Sequence, residues 1–309
     1  MISRERVGVV VPCYNSENSI IELIRRAETV LNDLNYEAEI VLANDGSSDN
    51  TLDVLKKQTA HDPQIKVVDL SKNFGQHSAL LAAIHNLSAV DYVIGIDDDL
   101  QTPPEEIGKL FQALQNSGSD VVFGLPDRRQ YQIYRSLGSR FNRWCACLLT
   151  DRPKHSMTSS FWLARGYIAE EIKKRRDPLP QIQAIIFEIT NRVAICDVVH
   201  NPREYGKSGY TMGKLVRQWA RLLHYSDYPQ RILCRIMPAI FIAGAISLAL
   251  GIAFPDKAVC GFAIWSLLTG AMLSFAALVV SSYSSWSYKI ARGVPPYVVR
   301  NVFFGKRKL

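Results

Sequence analysis

Apolar and amphipathic stretches alternate along the first 123 residues of this chain. Short apolar runs have the length and composition of strands that are buried on both faces. These runs are Val7–Cys13, Glu39–Ala43, Lys66–Leu70, Tyr92–Ile96 and Asp120–Phe123. Apolar positions at helical spacing predict the helices Ile20–Leu34, Asp49–Thr59, Gln76–Leu87 and Pro104–Asn116. The repeated order of strand and helix predicts an α/β fold with a mostly parallel sheet.

Two longer apolar runs lie near the C-terminus. Residues 236–255 and 258–288 are runs of 20 and 31 residues without Asp, Glu, Lys, Arg or His. Each run can cross a hydrocarbon core of about 30 Å at about 1.5 Å per residue, and only Asp256 and Lys257 separate them. The pattern therefore predicts a two-helix transmembrane hairpin. A buried helical pair of a soluble domain is the alternative, which the lack of a polar stripe disfavours.

The net charge of +7 is concentrated at the C-terminus. Residues 289–309 hold six Lys and Arg and no acid, so we expect no nucleic-acid partner. Further cations precede the first apolar run, at Lys207, Lys214, Arg217, Arg221, Arg231 and Arg235. Because Lys and Arg mark cytoplasmic flanks, we expect a multi-pass protein of the cell (inner) membrane with its N-terminal part and both termini in the cytoplasm. The cysteines form no Cys-x-x-Cys pair, which agrees with a reducing compartment.

Polar, turn-forming residues follow the first three predicted strands. These segments are Pro12–Glu17, Asn44–Thr51 and Ser71–Ser78. In parallel sheets, ligands bind beyond the carboxyl ends of the strands. The second segment alone also fits a plain turn with Asp49 as a helix N-cap. The recurrence of such segments at one edge of the sheet favours a nucleotide pocket.

Three adjacent carboxylates, Asp97, Asp98 and Asp99, follow the fourth predicted strand. Like charges this close repel each other unless a cation compensates them. Alternate residues of an extended chain face the same way, so Asp97 and Asp99 can share a hard divalent cation while Asp98 points elsewhere. Such a cation, held between carboxylates and a diphosphate, would neutralise a leaving nucleotide. A solvated acidic loop is the alternative interpretation.

The ordered motifs Val11–Asn15, Asn44–Thr51, Asn73–Ala79 and Asp97–Glu105 resemble those of family-2 glycosyltransferases with the GT-A (Rossmann-like) fold. Within that family the chain is similar to the polyprenyl-phosphate glycosyltransferases. This group includes dolichyl-phosphate mannose synthases and bacterial enzymes that charge undecaprenyl phosphate with glucose or an aminoarabinose. The resemblance covers residues 7–230 and extends to the two C-terminal apolar runs. It implies transfer of a sugar from a nucleotide sugar to a polyprenyl phosphate, with inversion.

The resemblance also assigns roles to single residues. Residues that would line the base and ribose of the nucleotide are Pro12, Tyr14, Asn15 and Glu17, with Asp45 near the base. Asp97 and Asp99 match a pair that holds Mg²⁺ or Mn²⁺ and the donor diphosphate, and Gln101 matches a glutamine near the donor sugar. Residues that would bind the acceptor phosphate or neighbour it are Arg203, Lys207, Ser208 and Tyr210. The implied leaving group is UDP rather than GDP, and a homo-oligomer is compatible with the resemblance.

The implied organisation has four parts: a GT-A domain at 1–210, an amphipathic membrane-surface helix at 211–231, two transmembrane helices at 232–288 and a basic cytoplasmic tail at 289–309. Leu215, Trp219 and Leu222, set against basic residues, support the interfacial helix. A core-facing helix is the alternative there.

The sequence departs from the family pattern in two places. Asn44 replaces the usual first acid of the second motif. Residues 156–162 contain no acid, and Trp162 stands where many relatives carry arginine, which leaves the donor sugar and any general base open. The chemistry depends less on this segment, because an acceptor phosphate is already anionic at pH 7.

Two other functions stay open at this point. A processive polysaccharide synthase would need more membrane helices and a Gln-x-x-Arg-Trp motif, and the nearest string here, Arg140–Trp144, begins with arginine. The second is a membrane-tethered regulator that binds nucleotides and has no catalytic activity. The intact pair of Asp97 and Asp99 argues against this function.

Overall fold

The computed structural model describes residues 4–126, 158–201, 238–240, 242–246 and 258–305. The described residues up to 201, together with 295–305, form one compact unit. The described residues from 238 to 294 form a second unit.

An eight-stranded sheet organises the first unit, in the order β7-β5-β6-β4-β1-β2-β3-β8. The strands are β1 (Arg6–Cys13), β2 (Glu37–Asn44), β3 (Ile65–Leu70), β4 (Tyr92–Gly95), β5 (Val121–Pro126), β6 (Trp162–Arg165), β7 (Val193–Val198) and β8 (Val299–Phe304). Strands β1 to β4 pair in parallel, as does β5 with β7. Strand β6 runs antiparallel to both β4 and β5, and β8 runs antiparallel to β3. The predicted mostly parallel α/β sheet of the GT-A fold is confirmed.

In the part of the first unit that the structure describes, six helices pack around the sheet, and the first four lie where the hydrophobic spacing predicts them. They are α1 (Ile20–Asp33), α2 (Thr51–His61), α3 (Gln76–His85), α4 (Ile107–Ser117), which follows a 3₁₀ turn at Pro104–Glu106, α5 (Gly166–Lys173) and α6 (Ile182–Ile189). In α1 the buried residues Leu23, Ile24, Ala27 and Leu31 recur at helical spacing, so one stripe faces the core. In α3 every residue from Ser78 to Ile84 is buried, which fixes this helix between its neighbours.

The contact between β4 and β6 depends on a glycine. Trp162 is fully buried and lies over Gly95, where an added methyl group would come within 2.4 Å of the indole ring. Only glycine leaves room for this ring. Trp162 therefore serves as a core residue at the position where many relatives carry arginine.

The C-terminal segment, predicted as a basic cytoplasmic tail, contains a strand that was not predicted. Residues Val299–Phe304 form β8 at the edge of the sheet, and Phe303 packs against the core. Arg300 donates to the Ser71 carbonyl at 2.8 Å, and its guanidinium lies 3.7 Å from the buried Asp69 carboxylate. Strand β8 was not predicted for two reasons. Basic residues surround it in the sequence, and its partner β3 lies more than 200 residues away.

The second unit contains a long apolar helix, α7 (Ala258–Ala291). Its part Leu268–Ala291 has a mean hydropathy of 1.3 and is long enough to span a membrane. Large apolar side chains on it are exposed, including Leu268, Leu273 and Leu278, which is consistent with a membrane anchor. Residues 238–240 and 242–246 are also helical, and Gly244 lies against the Trp265 indole of α7.

Candidate active site

The loops after β1 and β2 are joined by side-chain hydrogen bonds. The Asn15 amide donates to Ser47 Oγ at 3.0 Å, and Asn15 Oδ1 accepts from the Ser48 amide at 2.8 Å. Asn15 has a φ of +53°, a left-handed conformation that asparagine tolerates. Glu17 Oε2 accepts from the Asn50 amide at 2.9 Å. Asn15 and Glu17, which were predicted to bind the nucleotide, therefore join the loop after β1 to the loop after β2.

Tyr14 presents an aromatic ring at this rim. Its side chain is exposed, while Pro12 is buried at the end of β1. The Tyr14 amide donates to Asp98 Oδ2 at 2.9 Å, which fixes the backbone beneath the ring. A half-exposed ring on a fixed backbone can stack on a nucleotide base.

Asp45 lies at the same edge but faces inward. Its side chain is almost fully buried, and its two oxygens accept from the amides of Phe74 and Gly75 at 2.7 and 2.8 Å. Burial raises the pKa of Asp45, and the two amide hydrogen bonds oppose that rise. Asp45 therefore ties the β2 loop to the β3 loop, and its expected contact with a base stays a prediction.

The three carboxylates after β4 have separate partners. The strand ends at Gly95, and the chain then turns, with Leu100 at a φ of +57°. Asp97 Oδ1 accepts from Gln76 Nε2 at 2.7 Å, and Asp97 Oδ2 accepts from Ser160 Oγ. Asp99 Oδ1 accepts from the Gln101 amide at 3.1 Å. Asp98 accepts from the Tyr14 amide and is not part of these contacts, as expected. The reason differs from the expected one, because Asp98 and Asp99 lie in a turn and not in an extended strand.

The electrostatics of this triplet favour a bound cation. Burial raises the pKa of Asp97 to about 6; the Ser160 hydrogen bond opposes the rise and the charge of Asp99 adds to it. Burial likewise raises the pKa of Asp98 to about 6, against the hydrogen bond from Tyr14. Carboxylates held this close in a desolvated site are relieved by a positive charge.

Asp97 and Asp99 line one pocket with a volume of about 190 Å³. The pocket is lined by Ile96, Asp97, Asp99, Gln101, Thr102, Gly124, Leu125, Pro126, Thr158, Ser159, Ser160, Phe161 and His200. One wall is apolar, and hydroxyl groups face it from the segment before β6. His200 Nδ1 lies 3.3 Å from Thr102 Oγ1, which brings the segment after β7 to the carboxylates. Gln101, which was predicted to lie near the donor sugar, thus lines the same pocket as Asp97 and Asp99.

The donor set fits a metal that is shared with a substrate. Among the residues that the structure describes, no group of three or more His, Cys, Asp or Glu forms a metal site by itself. Mg²⁺ is typically held by one or two carboxylates together with substrate phosphates. Asp97 and Asp99 supply such a pair at the pocket surface.

Two residues that line the pocket, Ser160 and His200, and one that contacts its Asp97 carboxylate, Gln76, were not predicted. Gln76 lies within the motif Asn73–Ala79, but nothing in the sequence of that motif indicates that the Gln76 side chain contacts Asp97. Ser160 and His200 come from segments far from the carboxylates in the sequence. The predicted acceptor residues Arg203, Lys207, Ser208 and Tyr210 lie outside the described residues, as do the surface helix 211–231 and most of the first apolar run.

Comparison with solved structures shows the fold. The glucosyl-3-phosphoglycerate synthase of Mycobacterium tuberculosis superposes with a TM-score of 0.52 at 18% identity, covering 72% of this chain and 80% of that one. The same enzyme in complex with Mn²⁺ and UDP-glucose gives a TM-score of 0.50 at 16% identity, covering 72% and 77%.

Comparison of sequences extends along nearly the whole chain. An undecaprenyl-phosphate 4-deoxy-4-formamido-L-arabinose transferase of Edwardsiella ictaluri is 31% identical, covering 96% of this chain and 94% of that protein. The transferase of the same name from Proteus mirabilis is 30% identical with the same coverage. The family model described as "Glycosyl transferase family 2" matches residues 8–172. The chain therefore belongs to glycosyl transferase family 2.

Proposed function

We propose that this protein transfers a sugar from a nucleotide sugar to undecaprenyl phosphate with inversion and forms a polyprenyl-phosphate sugar. The observation that carries the proposal is the pairing of Asp97 and Asp99 in one pocket, next to Asp98, which accepts from the backbone amide of the exposed Tyr14. Relatives that align with almost the entire chain are named for transfer to undecaprenyl phosphate, which supports the acceptor class.

In the proposed mechanism, the pocket binds the donor with its diphosphate at the carboxylates. Asp97 and Asp99 would hold Mg²⁺ or Mn²⁺, which neutralises the charge on the departing nucleoside diphosphate. Tyr14 would stack on the base, with UDP favoured over GDP. The hydroxyl-bearing wall at Thr158, Ser159 and Ser160 would hydrogen-bond the sugar.

The acceptor phosphate would attack the anomeric carbon in line with the leaving group. Among the described lining residues, Asp97 and Asp99 are the only acids, and both would hold the metal, so no further carboxylate there is left to act as a general base. The acceptor does not require one, because a phosphate monoester is already anionic at pH 7. The proposed reaction is therefore governed by positioning and by charge stabilisation of the diphosphate.

We propose that α7 anchors the protein in the inner membrane and is one half of the expected hairpin, with the first unit and both termini in the cytoplasm. The length and exposed apolar surface of α7 support this arrangement. Arg203 and Lys207, with Ser208 and Tyr210 as neighbours, would dock the lipid phosphate. Fixed cations beside an anionic bilayer suit that task.

The test is a screen of nucleotide sugars against undecaprenyl phosphate in detergent, with the lipid product identified by mass. The relatives are named for 4-deoxy-4-formamido-L-arabinose, so a UDP-linked form of that sugar is the first donor to try. We expect a product whose mass equals lipid phosphate plus one glycosyl residue, which is the sugar less one water, together with release of one nucleoside diphosphate. The Asp99→Asn variant serves as the matched control and should give no product. Nucleotide-sugar binding without product or diphosphate release for any donor would contradict the proposal and favour a regulator; a repeating polymer would favour a synthase.

A further inference from the structure

We infer that Gln76 and Ser160 are positioning residues that hold the Asp97 carboxylate in the orientation that receives a divalent cation. The inference rests on the metal site of the proposed function and assigns two residues to it. Neither residue has a charge, and neither needs to touch the cation. Their contribution lies in the two hydrogen bonds that they donate to Asp97, one to each oxygen.

Gln76 is held in place by a buried support. It is the first residue of α3 and follows Gly75, whose φ is +97°. The Gly75 amide donates to the buried Asp45 carboxylate at 2.8 Å, and the body of α3 is buried from Ser78 onward. The start of the helix is therefore fixed, and the Gln76 amide reaches Asp97 Oδ1 at 2.7 Å from a rigid base.

Ser160 is held in place from the opposite side. It stands between Ser159, whose Oγ accepts from the Phe161 amide at 3.0 Å, and Phe161 itself, which is buried. The Phe161 carbonyl accepts from the Gly124 amide at 2.9 Å, which ties this segment to β5. Ser160 Oγ thus donates to Asp97 Oδ2 from a segment that is itself fixed.

The two donors leave the acceptor capacity of Asp97 incompletely used. A carboxylate has about four lone-pair sites, so two remain after Gln76 and Ser160 have bound. Two donors from two elements also prevent rotation of the carboxylate about its last torsion. Hydrogen bonds to ligating carboxylates of this kind typically change metal affinity or activity by about 10- to 100-fold when they are removed.

The experiment measures Mn²⁺ binding to the full-length protein in detergent by electron paramagnetic resonance, in the presence of UDP. Gln76→Met keeps the length of the side chain and removes its donor, and Ser160→Ala removes the hydroxyl. We expect each change to weaken Mn²⁺ binding by about 10- to 100-fold. Ser160→Thr, which restores a hydroxyl, should recover most of the affinity. Gln112→Ala, an exposed glutamine on α4, is the matched control and should bind Mn²⁺ like the wild type.

A second measurement separates positioning from loss of the fold. UDP binding in the presence of EDTA and the thermal unfolding midpoint should stay close to those of the wild type in all variants. Mn²⁺ affinities of Gln76→Met and Ser160→Ala within twofold of the wild type would overturn this inference alone. Absence of Mn²⁺ binding by the wild-type protein would instead contradict the metal site of the proposed function. A parallel loss of UDP binding and thermal stability would show that the two residues are structural and would also overturn the inference.

Discussion

The loop after β2 and the turn after β4 both place acids at the same edge of the sheet, and they use them differently. Asp45 accepts from two backbone amides and is almost fully buried. Asp97 accepts from two side chains and lines a pocket together with Asp99. A carboxylate bound by backbone stabilises a loop, whereas a carboxylate that side chains hold at a cavity surface remains accessible to a ligand. The comparison predicts that substitutions at Asp45 affect mainly stability and that those at Asp97 and Asp99 affect mainly turnover.

The largest effect is expected at the pocket pair. Asp97→Asn or Asp99→Asn should lower turnover by roughly 10³-fold or more, because the charge that holds the cation at the diphosphate is lost. Asp98→Asn should cost far less, because Asp98 faces the Tyr14 amide and not the pocket. Release of nucleoside diphosphate at saturating Mn²⁺ measures all three variants. Wild-type turnover by Asp99→Asn would show that the acids after β4 are no more important for turnover than Asp45 in the loop after β2.

Asp45→Ala tests the opposite side of the comparison. The change leaves the amides of Phe74 and Gly75 without their acceptor, and each buried unsatisfied amide costs about 1–3 kcal/mol. The two hydrogen bonds are only partly buried, so we expect the protein to lose about 2–4 kcal/mol of stability, the lower part of the roughly 2–6 kcal/mol that two fully buried amides would cost. Thermal unfolding in detergent, followed by intrinsic fluorescence, measures the loss. An unchanged unfolding midpoint combined with loss of nucleotide binding would show that Asp45 binds the nucleotide and does not mainly stabilise the loops.

Asn44→Asp extends the test to a position where the family usually has an acid. Asn44 Nδ2 donates to Asp69 Oδ1 at 2.8 Å, and both side chains are buried. The substitution sets two carboxylates against each other, so we expect a loss of about 1.5–3 kcal/mol near neutral pH. The loss should shrink as the pH falls and the pair becomes protonated. Unfolding measured at pH 5 and pH 8 checks both size and direction, and a pH-independent loss would contradict the charge explanation.

The smallest effect is expected at Glu28 on α1, an acid remote from the site. Burial, followed by a hydrogen bond and repulsion from Asp62, raises the pKa of Glu28 to about 7. Because the pKa of Glu28 is higher in the folded state than in the unfolded chain, its protonated form favours folding. The contribution of Glu28 to the free energy of unfolding is therefore complete below pH 4.5 and is lost as the pH rises to about 7. Glu28→Gln should therefore stabilise the protein by about 1 kcal/mol at pH 8, allowing for solvent screening, and change little at pH 4. Equal stability of the two proteins at pH 8 would contradict the raised pKa.

Local patterns were enough to predict most of the sheet. The strands β1 to β5 and the helices α1 to α4 lie within a few residues of their predicted bounds, because unbroken apolar runs and amphipathic spacing are encoded in neighbouring residues. Asp97 and Asp99 were predicted to share a cation while Asp98 points elsewhere. In the structure the first two line one pocket and Asp98 accepts from the Tyr14 amide, while the shared cation stays a prediction. The alternation of an extended strand is not the reason, because β4 ends at Gly95 and Asp98 and Asp99 lie in a turn.

By itself, the sequence determined the order of strands β1 to β5 and helices α1 to α4, the acidic pair Asp97 and Asp99 and the apolar segment that becomes α7, since each depends on residues that are adjacent in the chain. Only the tertiary structure decided that Asp45 faces inward, that β8 joins the sheet and that Gln76 and Ser160 meet at Asp97. These contacts join segments that are 21 to more than 200 residues apart. Such contacts form only when several elements pack against the same core, and no local periodicity records which distant segments will meet.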